Sequence, residues 1–280
     1  MSNDKNIENL NIPLWALPLR GIYRFVKKLL PNEQAIKQIE IKGIKYIVWA
    51  NEDIGKKLLL LRSYEKNETD VFKKFVKKDD VCLDVGGNIG FYSLNLSSFL
   101  KGTGVVHVFE PIKRNVNVIE LAAEINSYKN ISVHRQVLSN TNGEVEMAIP
   151  EDDGAYAYIN DDSDQVKAKE LVACSTLDAF FKDNDLQKVD ILKIDVEGAE
   201  GMVVEGAVEL FSNKDNRPRL VMIELVNSYL ERFSSDVLTI VNKMKGYGYK
   251  PYSAKNKGEL VDFLESDVDK VFNVFFVCEN

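Results

Sequence analysis

The chain has 280 residues, 45% hydrophobic and 28% charged, which suits one large α/β domain with an extension. Its formal net charge of -7 offers no overall basic field to nucleic acid. Cys82, Cys174 and Cys278 are odd in number, widely spaced and set in apolar runs, which argues against a disulfide framework or a metal cluster and for a reducing, cytoplasmic setting.

No apolar run reaches a membrane-spanning length, and Met1 to Lys5 does not open a signal peptide. Residues 14–30 mix Trp15, Leu17, Ile22, Phe25 and Leu29 with Arg20, Arg24, Lys27 and Lys28, predicting a short basic amphipathic helix. Packing on its own domain is the simpler role; contact with an anionic membrane surface is the alternative. From Ile39 to Arg62 the apolar positions alternate and then run together at Leu58 to Leu61. With turns at Gly43 and at Asn51 to Asp53, this predicts a small antiparallel pair. Thr69 to Lys77 carries Val71, Phe72, Phe75 and Val76 at helical spacing. Residues 1–78 thus form an extension ahead of a domain at 79–280.

The chain is organised around Val81-Cys82-Leu83-Asp84-Val85-Gly86-Gly87-Asn88-Ile89-Gly90. An apolar strand ends at an acid, glycines make a tight turn, and a helix begins at Phe91. The spacing G-G-x-x-G, with Asn88 inside it, differs from the G-x-G-x-x-G of dinucleotide sites. A side chain at Gly86 is expected to intrude on ligand space. A second strand, Val105 to Phe109, ends at Glu110-Pro111, and proline keeps its predecessor extended. Glu110 lies 26 residues beyond Asp84, about where a mononucleotide fold places the acid that binds ribose hydroxyls.

A helix over Asn115 to Asn126 and a strand over Ile131 to Val137 continue the alternation, predicting a doubly wound, Rossmann-like and mostly parallel sheet. Residues 143–175 interrupt it with short antiparallel strands and acidic turns, a β insertion of the kind that covers substrate sites, with Tyr156 and Tyr158 available to stack on a sugar ring. Val189 to Asp195 repeats the opening pattern of buried strand and terminal acid, and Leu220 to Glu224 does so again. A helix near Asp236 to Lys245 and strands near Tyr249 to Tyr252 and Val271 to Val277 suggest a closing hairpin with one strand reversed.

Several segments together resemble the FkbM-type methyltransferases of the class I S-adenosylmethionine-dependent fold. They are Leu83 to Gly90, Phe109-Glu110-Pro111, Val137-Leu138-Ser139, Leu192-Lys193-Ile194-Asp195-Val196-Glu197-Gly198-Ala199-Glu200 and Met222-Ile223-Glu224, with the lead-in from Tyr64 to Glu68. The Asp-Val-Glu-Gly-Ala-Glu run is the most specific, and Gly87 replaces a more usual Ala. The resemblance implies a seven-stranded sheet, S-adenosylmethionine as cofactor, and methylation of a hydroxyl on a sugar, glycan or related small molecule. It implies that Gly86 and Gly90 line the methionine end, Glu110 holds the ribose, Asp84, Asn88 and Asn115 sit near the cofactor, and Gln136 or Val137 lies near adenine. Glu68 and Asp195 are further cofactor contacts.

A neutral alcohol profits from a base or a metal. His107 and His134 lie inside strands and read as core residues, so the catalytic candidates are carboxylates: Asp195 and Glu224, with Glu197 beside them. Asp195 and Glu224 also suit a divalent cation, although no spacing specifies one. Glu200 reads as a helix starter. No Asn/Asp-Pro-Pro-aromatic box or Pro-Cys pair points to nucleic-acid methylation, and no Tyr-x-x-x-Lys pair to an NAD enzyme. A non-catalytic cofactor-binding scaffold and a peptide or amine acceptor are the alternatives. Oligomeric state is not legible.

Overall fold

The computed structural model describes residues 36–149, 158–159 and 168–279. The expected basic helix, Tyr156 and the acidic turns at 151–154 and 161–164 lie outside them. The described chain opens with the hairpin β1 (Ile36–Ile41) and β2 (Ile44–Trp49), then α1 (Asp53–Leu61) and α2 (Lys66–Phe75). Next come β3 (Val81–Val85), α3 (Phe91–Leu100), β4 (Val105–Phe109), α4 (Lys113–Ile125) and β5 (Ile131–His134). The insertion supplies β6 (Val137–Leu138), β7 (Gly143–Ile149), β8 (Tyr158–Ile159) and β9 (Ala168–Ser175), a separate four-stranded sheet ordered β6-β9-β7-β8. Then follow α5 (Leu177–Asp183), β10 (Ile191–Ile194), α6 (Glu200–Glu205), α7 (Val208–Ser212), β11 (Leu220–Glu224), α8 (Asn227–Leu230) and α9 (Val237–Gly246), and the chain ends with β12 (Tyr249–Lys255), β13 (Glu259–Asp262) and β14 (Asn273–Cys278).

The main sheet has the order β13-β12-β14-β11-β10-β3-β4-β5. From β11 to β5 every pairing is parallel, whereas β14 runs against both β11 and β12. This is the expected doubly wound plan, with β14 as the expected reversed strand and the edge strand β13 reversed as well. The sheet carries one strand more than seven, because β13 folds back antiparallel on β12 at the edge.

Alternation along the strands sends side chains to two cores. Leu83, Val85, Leu192, Ile194, Val221 and Ile223 pack on one face with α5, α6, α7 and α9. Cys82, Val106, Val108, Ile191, Leu220 and Met222 pack on the other with α2, α3, α4 and the hairpin. Asp84 and Lys193 share the parity of this second face, and the register pairs them across β3 and β10.

The run Leu58 to Leu61 departs from expectation: it belongs to a helix, with Leu58 buried and Leu60 and Leu61 exposed. Four consecutive leucines carry no period of their own. The helix is selected by its seat on β2, where a Cβ at Gly55 would lie 1.9 Å from the Trp49 carbonyl oxygen. The hairpin in turn docks on α4 through Asn126, which accepts from the Lys45 amide at 2.9 Å and donates to the Lys45 carbonyl at 2.6 Å. Among the described residues no helix is long and apolar enough to cross a membrane.

Candidate active site

The site forms where the carboxyl ends of β3, β4, β10 and β11 meet, the place where open α/β sheets bind ligands. After β3 the chain turns over the tip of β4, and the Gly86 and Gly87 amides both donate to the Phe109 carbonyl at 2.9 Å. Gly86 has φ +82° and an added Cβ would stand 1.8 Å from the Asp195 carbonyl oxygen. The end of β10 therefore leaves no room for a side chain at this position, whatever ligand lies beside it. At Gly87 a Cβ would meet Val108 Cγ1 at 2.4 Å, so the Ala more usual at this position would be crowded here.

Glu110 projects from the tip of β4 and is 4% exposed. Its carboxylate accepts from the Asn88 amide at 2.7 Å, the Ile112 amide at 2.9 Å and Asn115 Nδ2 at 3.3 Å. Burial pushes its pKa up to about 7 against these donors. The acid is thus also the post on which the glycine turn is hung, since Asn88 sits at φ +50°. Asn115 is buried, and its Oδ1 has no hydrogen-bond partner among the described residues.

Beneath the turn lies a charged row, Asp84–Lys193–Asp195, whose central lysine sequence reasoning did not single out. Lys193 is 2% exposed; its Nζ stands 3.2 Å from Asp84 Oδ1 and 3.3 Å from Asp195 Oδ2. The same ammonium donates to the Gly86 carbonyl at 2.7 Å and the Val85 carbonyl at 3.3 Å, and it lies 5.6 Å from the Tyr92 ring centroid. Asp84 also accepts from the Ser93 hydroxyl. Burial pulls the ammonium's pKa down, but the charges of Asp195 and Asp84 outweigh it and hold the group above the usual lysine range. The available signal was a charged residue inside the apolar run Ile191-Leu192-Lys193-Ile194, where strand geometry forces burial and burial demands partners.

Asp195 and Glu224 end neighbouring strands, one residue past the paired Ile194 and Ile223. Burial, followed by the charges of Asp195, Glu197 and Glu65, pushes Glu224 well above the usual carboxylate range. Glu197, at φ +56°, is raised by burial and then by Asp195 and Glu200. Glu200 accepts from the Val196 amide at 2.9 Å and the Gly198 amide at 3.1 Å, so it closes its own turn, as a helix starter should. Glu65, at the start of α2, takes the Tyr92 hydroxyl and shares this acidic neighbourhood with Asp195; sequence reasoning had preferred Glu68. Glu68 stands behind it, pushed up to about 7 by burial and by Glu65.

Gln136, Val137 and the two histidines belong to other parts of the fold. Val137 is buried with Ile112, Met147, Val172 and Cys174 in a small core under the second sheet, and Gln136 is half-buried beside it. His107 and His134 face each other across β4 and β5, Nδ1 to Nε2 at 3.0 Å, packed on Phe109 and Phe180. Among the described residues no three His, Cys, Asp or Glu side chains are grouped to hold a metal ion.

The model of the Methyltransferase FkbM domain matches residues 84–251, more than half of the chain; the lead-in from Tyr64 to Glu68 lies outside it. Among solved structures, the methyltransferase FkbM from Methylobacillus flagellatus is 16% identical with a TM-score of 0.48, over 72% of this chain and 44% of that one. The chain thus spans less than half of that relative's length. A precorrin-6y C5,15-methyltransferase from Geobacter metallireducens is 12% identical with a TM-score of 0.44, over 76% of this chain and 87% of that one. A SAM-dependent methyltransferase from Aquifex aeolicus is 14% identical with a TM-score of 0.43, over 80% and 98%. No curated protein matches the sequence. On the strength of the domain match, this chain belongs to the FkbM methyltransferase family.

Proposed function

We propose that the protein transfers a methyl group from S-adenosylmethionine to a hydroxyl of a sugar, glycan or related small molecule. The observation that carries this reading is the row Asp84–Lys193–Asp195 under the glycine turn, with Glu110 on the next strand tip. Two carboxylates around one ammonium leave net negative charge for a ligand that bears an ammonium and a sulfonium. The buried, unpartnered Asn115 Oδ1 fits a hydroxyl donor, and the Glu110 carboxylate, with three donors in place, retains acceptor capacity for ribose.

In this reading Glu110 and Asn115 hold the ribose. The backbone of Gly86, Asn88 and Gly90 borders the methionine end, with Asp84, Asp195 and Glu68 supplying charge, and Gln136 and Val137 border adenine. When bound, the cofactor supplies an electrophilic methyl group for in-line displacement. The protein's part is to orient the acceptor and take its proton. Glu224 is the base, because the surroundings that raise its pKa make it the stronger proton acceptor once ionised. Asp195 orients the hydroxyl beside it, and Glu197 closes the acidic wall. The second sheet, through Tyr158 on β8, contributes to acceptor choice.

The test is label transfer from methyl-labelled S-adenosylmethionine to a panel of sugars, nucleotide-sugars and glycans, with amines and peptides alongside. Glu224→Gln is expected to keep S-adenosylhomocysteine affinity and depress kcat, whereas Asp195→Asn, which also removes charge from the methionine end, should depress both. Wild-type turnover in both would move the centre elsewhere, and labelling of amines alone would overturn O-methylation.

A further inference from the structure

Lys42, Arg62 and Lys66 are among the residues lining a small cleft between the hairpin, α1, α2 and α3, and none has a role in the centre just described. The cavity measures about 40 Å³. At ~10–15 Å³ per water, that is room for about three waters, the size of one phosphate or carboxylate group. Its floor is aromatic: Tyr46 stacks on Phe91 at 5.7 Å between centroids, and Tyr64 meets Phe91 edge-on at 5.1 Å.

The placement of the cations is built into the backbone. Lys42 and Arg62 both adopt left-handed conformations at φ +52°, one in the β1–β2 turn and the other as the C-cap of α1. Among the described residues neither has a carboxylate partner, although the protein carries a net charge of -7 and acids are plentiful. Lys66 is held by Asp70 at 2.8 Å. Tyr64 lines the cleft, and burial followed by the charges of Glu65, Asp195 and Glu224 pushes its phenol well above the usual range, which links the cleft to the field of the acidic centre.

We propose that this cleft binds an anionic group, phosphate or carboxylate, carried by the methyl acceptor. The anionic group fills the cleft, and the rest of the acceptor lies outside it with the target hydroxyl facing Asp195 and Glu224. The inference deepens the methyl-transfer reading and rests on it for the word acceptor; the anion site itself does not. It also places the cations that recognise the acceptor, Lys42, Arg62 and Lys66, ahead of the segment that the family model matches.

The probes are inorganic phosphate, a hexose 6-phosphate, a hexuronate and the uncharged hexose. Each is titrated by calorimetry and by amide chemical shifts, with and without S-adenosylhomocysteine. The anionic probes are expected to shift the amides of residues 42 and 62–66 and to bind at least ~10-fold more tightly than the hexose. That is the ratio which one charge-assisted hydrogen bond of about 1.4 kcal/mol supplies. The preference should shrink below threefold in the double variant Lys42→Gln, Arg62→Gln and weaken with salt. Both substitutions are at exposed turns, and an unchanged melting curve checks the fold. Phosphate and hexuronate binding ranked against each other identifies which anion the cleft takes. Equal affinity for hexose and anions, anion binding that survives in the double variant, or no anion binding at all overturns the proposal. Failure to bind S-adenosylhomocysteine would instead sink the methyl-transfer reading and leave the anion titration to be judged by itself.

Discussion

Gly86 and Gly43 form a matched pair that separates backbone strain from collision. Both have φ +82°, so an alanine at either pays the same left-handed penalty, about 1–2 kcal/mol. Around Gly43 nothing lies within 4 Å of an added Cβ, whereas at Gly86 the Asp195 carbonyl oxygen lies at 1.8 Å. A carbon against that oxygen needs roughly 3.4 Å, so the turn and the end of β10 must part by about 1.5 Å, and overpacking of a fixed backbone costs about 1–3 kcal/mol or more. Gly43→Ala should therefore lose about 1–2 kcal/mol and Gly86→Ala about 2–5 kcal/mol. Urea midpoints at unchanged m-value measure both, and S-adenosylhomocysteine calorimetry is run on each folded variant. Should the two alanines destabilise within about 0.5 kcal/mol of each other, the collision argument is wrong. If Gly86→Ala is then also the one that loses the ligand, Gly86 serves to clear ligand space after all.

Glu110→Gln should weaken S-adenosylhomocysteine by about 10- to 100-fold, the worth of a charged acceptor at about 1.5–3 kcal/mol, because the amide meets the Asn88 and Ile112 donors with half its acceptor strength; unchanged affinity in calorimetry removes it from the site. Lys193→Met leaves Asp84 buried and unpaired, which costs about 3–5 kcal/mol, and the double change Lys193→Met, Asp84→Asn should recover most of that in urea titrations. Recovery of nothing would show that the carbonyl contacts of Lys193 carry its stability. Burial, then His134, lowers His107 from 6.5 to about 4, so the folded state disfavours the imidazolium. Its stability contribution is full above pH 6.5 and is lost as pH falls from 6.5 towards about 4. His107→Gln with His134→Gln should flatten that part of the stability–pH curve relative to wild type, and an unchanged slope assigns it to the carboxylates.

The local pattern of the chain determined the strands of the parallel sheet, the glycine turn between β3 and α3, and the acids at the tips of β4, β10 and β11. Each is written in consecutive residues: an apolar run, a turn residue, a polar residue where the strand emerges. What the tertiary structure decided depends on residues distant in the chain. The Leu58 to Leu61 run became a helix because Gly55 lets it press on Trp49, and β13 joined the sheet because β12 offered an open edge. Lys193 acquired its partners through the register of β10 on β3, which sets it opposite Asp84 from 109 residues away. Gly86 is small because of the end of β10, and Glu110 is committed to the turn as much as to any ligand. Spacing can announce that an acid ends a strand, but which cation faces it, and which carbonyl crowds the glycine beside it, is set only when the strands pair.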